Sequence, residues 1–134
     1  MIDIIITSYN EPKATLRAVK VFLEQLPKKN ARIIVADPFF EVGKFLKKNI
    51  KDKRFVFFLD PGEGKSYALN LIFQEYASKN KEDIFILTDG DVYVSKDSIK
   101  AINGAFKDVR IGCIAGKPVS IDSRNTKYGY WSHI

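Results

Sequence analysis

The run Ile2-Asp-Ile-Ile-Ile-Thr7 contains four isoleucines in six residues. An apolar run that lacks polar alternation is typical of a strand buried on both faces of a parallel sheet. Short apolar runs of the same kind recur along the chain, and each is predicted to form a strand. These runs lie at 31–36, 55–59, 84–88 and 111–115.

Helical patterns separate these runs. Apolar residues recur at helical spacing from 12 to 26, and Asn10 precedes them as the predicted N-cap. Further helices are predicted over 41–48 and 65–78, and from the predicted N-cap Ser95 onward. Regular alternation of strands and helices predicts an α/β fold, a Rossmann-like three-layer α/β/α domain with a mostly parallel central sheet. A single domain is expected across residues 1–134.

Composition narrows the class of protein. The chain has 134 residues, of which 46% are hydrophobic and 28% charged, as in ordinary globular domains. No apolar stretch approaches the roughly 20 residues that span a bilayer. The single cysteine, Cys113, lies in an apolar run and is predicted to be buried. One cysteine allows no internal disulfide, which favours a reducing compartment and a cytoplasmic location.

The net charge of +6 includes a dense basic run from Lys47 to Arg54. Such runs attract polyanions, but no aromatic residue interleaves this one and no nucleic-acid-binding motif accompanies it. We interpret it as a solvated face and expect no nucleic acid partner. A non-catalytic module that binds nucleotides or polyanions through this run stays open as an alternative.

Polar residues follow the predicted strands, where ligands bind in parallel sheets. Asp89 and Asp91 end the fourth strand, separated only by Gly90. Two carboxylates this close repel each other, and a divalent cation shared with substrate phosphates would offset the repulsion. The same three residues also fit a simple acidic turn.

Three other strand ends carry residues suited to a nucleotide. The turn 61–66 resembles the end of a P-loop, but Leu59 stands where that motif requires glycine. Lys65 at a helix N-terminus remains a plausible phosphate partner. Tyr9 could stack on a base and Asp37 could accept hydrogen bonds from a base edge. Each of these two also fits a structural role, as a loop aromatic or a helix cap.

Taken in order, four segments resemble the inverting family 2 glycosyltransferases, which have the GT-A fold: 4–11, Asp37, 64–70 and 88–92. The resemblance implies that nucleotide-binding residues surround the strand ends and that one acid holds a metal. The implied nucleotide-binding residues are Thr7, Tyr9, Asp37, Lys65 and Asp89, and the implied metal ligand is Asp91.

The activity implied by the resemblance is transfer of a sugar, with inversion, from a nucleotide-sugar such as a UDP- or GDP-sugar to an acceptor hydroxyl. Mn²⁺ or Mg²⁺ would act through Asp-Gly-Asp. The acceptor is not specified and could be a polysaccharide, a lipid carrier or a protein. Membrane association through that acceptor, or through a missing segment, is compatible with the resemblance.

Family members continue into an acceptor-binding half that supplies the catalytic carboxylate. After Asp91 the acids are Asp97, Asp108 and Asp122, and none lies in the acidic dipeptide that commonly carries this base. No catalytic residue is therefore assigned, and we expect a donor-binding half that is catalytically incomplete. The aromatic segment 128–134 predicts an exposed patch and self-association.

One other enzyme class shares an apolar strand that leads into Asp-x-Asp. In phosphatases like the haloacid dehalogenases, Asp89 would be the nucleophile and Asp91 the acid/base. That motif usually opens the domain, whereas here it lies about two-thirds along the chain. Binding that requires metal and Asp91 favours the transferase, whereas phosphate release that requires Asp89 favours the phosphatase.

Overall fold

The computed structural model describes residues 1–78, 80–117 and 119. Strands and helices alternate along this part of the chain, as the sequence predicts. The strands are β1 (Ile2–Thr7), β2 (Ala31–Asp37), β3 (Phe55–Leu59) and β4 (Ile84–Asp89). The helices are α1 (Pro12–Gln25), α2 (Phe40–Asn49), α3 (Lys65–Tyr76) and α4 (Ser98–Ala105).

The strands form one parallel sheet in the order β3-β2-β1-β4. Ile2 pairs with Ala31 of β2 on one side and with Ile84 of β4 on the other. The chain thus moves outward from β1 to β3 and then crosses to β4 on the opposite side of β1. The strand order reverses between β1 and β4, which is where ligands bind in sheets of this kind.

Successive isoleucines of β1 point to opposite faces of the sheet, because side chains alternate along a strand. Ile4 and Ile6 pack in a core with residues of α1, α2 and α4. Ile5 packs in a second core with Ile72 of α3. Helices therefore cover both faces, which confirms the predicted three-layer α/β/α, Rossmann-like architecture.

The chain divides into two compact units, Met1–Ala101 and Ile102–Ile134. The first contains the whole sheet and α1 to α3. In the second, the predicted strand at 111–115 is wrong, because these residues form neither strand nor helix. A short apolar run becomes a strand only when a neighbouring strand satisfies its backbone groups, and none pairs with it in the described residues. Cys113 is exposed there rather than buried.

The start of α1 also differs from its prediction. Asn10 does not cap the helix; Glu11 occupies the N-cap position without a side-chain hydrogen bond. Asn10 instead adopts a φ of 54°, a left-handed conformation that asparagine tolerates better than most residues. Its backbone amide donates to the Asp37 carboxylate, and that contact sets the path of the loop.

The lysines of the basic run form an exposed surface, whereas its last residue is buried. Lys47, Lys48, Lys51 and Lys53 are exposed, as expected of a solvated face. Arg54, however, is only 8% exposed, and its guanidinium binds Asp52 and the carbonyls at the end of α1. Arg54 is therefore a structural residue and does not belong to the basic surface.

None of the helices in the described residues combines the length and the apolar character needed to cross a membrane. The aromatic segment 128–134, for which self-association was predicted, lies outside the described residues.

Candidate functional site

The loops that follow the four strands surround a cleft of about 480 Å³ at the carboxyl edge of the sheet. This cleft lies at the reversal of strand order, as the topology requires. Five of the six residues predicted from the sequence line it: Thr7, Tyr9, Lys65, Asp89 and Asp91. The remaining lining residues are Ser8, Glu11, Pro38, Asp60, Gly62, Gly64 and Gly90.

Gly90 allows the acidic turn to lie against the first loop. A Cβ atom added to Gly90 would lie 2.7 Å from Thr15 Oγ1 and 2.8 Å from Ser8 Cβ, so no side chain fits there. The Gly90 amide donates to the carbonyl of Thr7 over 2.8 Å. The glycine between the two aspartates is thus required by close packing, and it places both carboxylates beside the loop that carries Tyr9.

The Asp89 carboxylate is held by two donors. Its Oδ1 atom accepts hydrogen bonds from Thr7 Oγ1, at 2.8 Å, and from the Lys65 ammonium. The Lys65 hydrogen bond, together with the one from Thr7, lowers the pKa of Asp89 below its ordinary value. Asp89 therefore stays ionised at neutral pH, and Lys65 compensates its charge.

The glycine-rich turn after β3 lines another part of the cleft. The Gly62 amide donates to Asp60 Oδ1 over 2.8 Å, and Gly62 has a φ of 82°. Gly64, with a φ of 102°, occupies the N-cap of α3 and offers no side chain to cap it. Amides of the first turn of α3 are therefore left for water or an anionic ligand, next to the Lys65 ammonium.

Tyr9 forms the aromatic end of the cleft. It is 73% exposed, and its ring meets that of Phe39 edge to face, with 5.2 Å between centroids and an interplanar angle of 83°. Most of the Tyr9 ring is free to contact a ligand. Phe39 comes from the loop after β2 and does not line the cleft, so a second loop supports the Tyr9 ring.

Asp37 differs from the other predicted residues, because it is fully buried and does not line the cleft. Its Oδ2 atom accepts hydrogen bonds from Ser8 Oγ at 2.5 Å and from the Asn10 amide at 3.0 Å. Its Oδ1 atom accepts from the Phe39 amide at 2.8 Å. These bonds to three separate donors tie the loop after β1 to the loop after β2.

Both acids of the pair are exposed, but only Asp89 forms an ion pair; Asp91 has none to a described residue. In the described part of the chain, no group of three acidic, histidine or cysteine side chains forms a ready-made metal site. Mg²⁺ is commonly bound by one or two carboxylates together with substrate phosphates and water. The donor set fits a cation that arrives with a diphosphate, and Asp91 is the residue that would hold it.

Sequence reasoning missed the contributions of Ser8 and Phe39. Ser8 lies in the segment 4–11 that carries the family resemblance, but nothing in the sequence pairs its hydroxyl with Asp37, 29 positions away. The available signal was Asp37 itself, because a carboxylate at the end of a buried strand requires nearby donors.

The model for glycosyl transferase family 2 matches residues 3–133. Because the match extends over nearly the whole chain, the chain belongs to glycosyl transferase family 2, and the α/β/α sheet is the GT-A type of Rossmann-like fold. No curated protein gives a significant match to the sequence. Enzymes of this family are glycosyltransferases that use a nucleotide-sugar donor and an acceptor, commonly with a divalent metal.

Proposed function

We propose that the cleft is the donor site of an inverting sugar transfer and that it binds a UDP- or GDP-sugar. The observation that carries this proposal is the meeting of Tyr9, Lys65, Asp89 and Asp91 around one cleft in a family 2 chain. These residues come from three different strand ends. Together they offer an aromatic surface, a cation and two carboxylates, which match the parts of a nucleoside diphosphate.

The base lies at the aromatic end, stacked on Tyr9, with Thr7 beside it and Asp37 supporting the adjoining loops from the interior. Asp89 accepts hydrogen bonds from the ribose, because its outer oxygen remains available while Lys65 and Thr7 hold Oδ1. The diphosphate lies at the first turn of α3, where free amides and the Lys65 ammonium favour negative charge. The length of the cleft thus separates base, ribose and phosphate contacts.

Asp91 is the residue that would hold Mg²⁺ or Mn²⁺ when the donor diphosphate is bound. When bound, such a cation neutralises the charge that develops on the leaving diphosphate. The compensation of Asp89 by Lys65 supports this assignment, because it leaves Asp91 as the carboxylate of the pair without an ion pair to a described residue. The protein's own residues orient the donor so that the anomeric carbon faces the acceptor hydroxyl.

In the transfer, the acceptor oxygen bonds to the anomeric carbon as the bond from that carbon to the diphosphate oxygen breaks. Attack from the side opposite the leaving group inverts the configuration. A carboxylate that accepts the proton of the hydroxyl completes the reaction, and we assign no described residue to that role. The chain contributes donor binding, and a cytoplasmic location is consistent with its single exposed thiol.

Calorimetric titration of UDP, GDP and their sugar conjugates tests the proposal, with Mn²⁺ or Mg²⁺ and then with a chelator. Asp91→Asn is expected to abolish metal-dependent binding. Asp97→Asn removes an exposed acid that does not line the cleft and is the matched control. The proposal is wrong if a folded wild-type sample binds no nucleoside diphosphate, or if Asp91→Asn binds with unchanged metal dependence.

The alternatives have less support. The family match runs through the whole Asp-Gly-Asp region, and no observation favours a phosphatase. For the polyanion module, the burial of Arg54 removes one cation from the basic run. A phosphate-release assay on Asp89→Asn and a salt titration with a polyanion would expose either activity.

A further inference from the structure

We propose that Asp37 is a positioning residue that sets the base-stacking surface and does not itself contact the nucleotide. Its carboxylate joins the loop that carries Tyr9 to the loop that carries Phe39. This inference rests on the proposed function, because it concerns the base end of the same cleft. It changes the role that the family resemblance implies for Asp37, which is direct binding of the base edge.

Burial and position argue against direct contact. Asp37 is 0% exposed and is absent from the residues that line the cleft, although Pro38 next to it lines the wall. A ligand could reach the carboxylate only after the surrounding loops moved. The two neighbouring loops would then lose the hydrogen bonds that define their present conformation.

The hydrogen bonds of Asp37 are already committed within the protein. Oδ2 accepts from Ser8 Oγ and from the Asn10 amide, and Oδ1 accepts from the Phe39 amide. Ser8 and Asn10 flank Tyr9 on both sides, so a single oxygen atom fixes the backbone on which that side chain stands. A buried carboxylate is costly unless such donors satisfy it, which makes this arrangement the stable one.

The other carboxylate oxygen fixes the partner of Tyr9. The Phe39 amide, 2.8 Å from Oδ1, holds the start of α2 so that the Phe39 ring meets the Tyr9 ring edge to face. Backbone bonds reinforce the junction: the Ser8 amide donates to the Ala36 carbonyl over 2.9 Å, and the Asp60 amide donates to the Asp37 carbonyl over 3.1 Å. Tyr9 is therefore oriented before any ligand arrives.

Pre-orientation has a functional consequence. Stacking of a base on an aromatic ring contributes about 1–3 kcal/mol, which corresponds to roughly 5- to 150-fold in affinity. Part of that contribution is lost if the ring must be ordered during binding. Loosening the Asp37 junction should thus weaken contacts to the base and leave contacts to the diphosphate intact.

The test compares ligands with and without the donor edge of the base. Wild type and Asp37→Asn are titrated with UDP and 3-methyl-UDP, or with GDP and 1-methyl-GDP, according to which nucleotide binds. Methylation removes the ring N–H that a directly bound carboxylate would accept. We expect Asp37→Asn to bind both ligands of the pair more weakly by the same factor, about 10-fold. The methylation penalty, which is the loss of affinity caused by the methyl group, is then the same in both proteins.

A methylation penalty that is present in wild type and disappears in Asp37→Asn would overturn the proposal, because it would show direct contact with the base edge. If the wild-type protein binds neither UDP nor GDP, the proposed donor site is refuted. If methylation weakens binding to wild type but not to Asp37→Asn, only the positioning role is refuted. The two failures are therefore distinguishable.

Phe39→Leu supplies an independent measurement if Asp37→Asn does not fold or the methylated ligand binds too weakly. Phe39 does not line the cleft, and this variant leaves Asp37 and its backbone donors in place. We expect about 3- to 10-fold weaker binding of the nucleoside diphosphate and unchanged binding of inorganic pyrophosphate. Equal affinity of Phe39→Leu and wild type for the nucleoside diphosphate would contradict the proposal.

Discussion

Lys65 donates a hydrogen bond to the Asp89 oxygen that also accepts the hydroxyl proton of Thr7. This ion pair joins the first residue of α3 to the last residue of β4. It answers how two aspartates can stand one residue apart: the protein compensates Asp89 itself. Under the proposed function, Asp91 is then the carboxylate that would hold a cation.

Replacing Lys65 should therefore change the titration of Asp89. The Lys65 hydrogen bond holds the pKa of Asp89 below its ordinary value of 3.8, so Lys65→Gln should raise that pKa toward 3.8. Because the pKa of Asp89 is lowered in the folded protein, this carboxylate contributes to the free energy of unfolding above pH 3.8, and the contribution is lost as the pH falls through the lowered pKa. Lys65→Gln lacks this contribution, so its free energy of unfolding should fall less below pH 3.8. Carboxyl ¹³C NMR titration measures the shift directly.

Lys20→Gln is the matched control, because Lys20 is an exposed lysine of α1 outside the cleft. It removes the same charge and should leave the pKa of Asp89 unchanged. Equal shifts in the two variants would mean that net charge, and not the Lys65 hydrogen bond, sets the titration of Asp89.

Gly90→Ala should damage both stability and ligand binding. The added Cβ would overlap Thr15 Oγ1 and Ser8 Cβ, which belong to α1 and the first loop. We expect a loss of about 1–3 kcal/mol in the free energy of unfolding and strongly weakened nucleotide binding. Gly104→Ala in α4 is the control, since a Cβ there meets nothing within 4 Å. Urea unfolding should show no loss for the control, and a harmless Gly90→Ala would refute the close-packing argument.

Substitutions of two asparagines with positive φ distinguish an effect on stability from an effect on nucleotide binding. Asn10 has a φ of 54° beside the cleft, and Asn30 has a φ of 57° at the opposite edge of the sheet, before β2. Alanine at either position should cost about 1 kcal/mol in the free energy of unfolding, because its Cβ disfavours this conformation. Only Asn10→Ala should also weaken nucleotide binding. Equal ligand affinities for the two variants would argue against a role of the Asn10 backbone in orienting Tyr9.

Much of the fold follows from the sequence, because the first four strands are apolar runs bounded by polar strand ends. The fifth predicted strand failed for a physical reason. Ile111 and Ile114 form an apolar run as the earlier strands do, yet a strand needs a paired neighbour, and a run of five residues carries no information about its partner. Local pattern predicts an apolar segment, whereas pairing depends on the rest of the chain.

For the site, the sequence predicts which residues lie near one another but not which hydrogen bonds they form. The residues at strand ends, such as Asp89 and Lys65, could be placed near one another because parallel strands end at one edge. Which donors each carboxylate binds could not be inferred, because the contact of Asp37 with Ser8 and the contact of Asp89 with Lys65 depend on loop conformations. Burial of Asp37 and exposure of Asp91 are likewise properties of packing, and the sequence presents both as aspartates after a strand.

Arg54 provides the strongest prediction about stability. Its guanidinium donates to the carbonyls of Leu26 at 2.9 Å and Leu23 at 3.1 Å, and to Asp52 at 2.7 Å. Arg54→Met removes the guanidinium donors of the two carbonyls and leaves Asp52 only the backbone amide of residue 54, so we expect a loss of about 3–5 kcal/mol in the free energy of unfolding. Lys53→Met removes an exposed neighbouring cation and should change that free energy by less than about 0.5 kcal/mol.

Acid unfolding of an Asp52 variant tests the ion pair between Asp52 and Arg54. The Arg54 side chain and, to a smaller extent, its backbone amide lower the pKa of Asp52 from 3.8 to about 2. The resulting stabilisation is complete above pH 3.8 and is lost as the pH falls through about 2. Asp52→Asn should be less stable than wild type at pH 7, and its free energy of unfolding should fall less steeply over that acid range. Parallel acid-unfolding curves for wild type and Asp52→Asn would show that this carboxylate does not stabilise the end of α1.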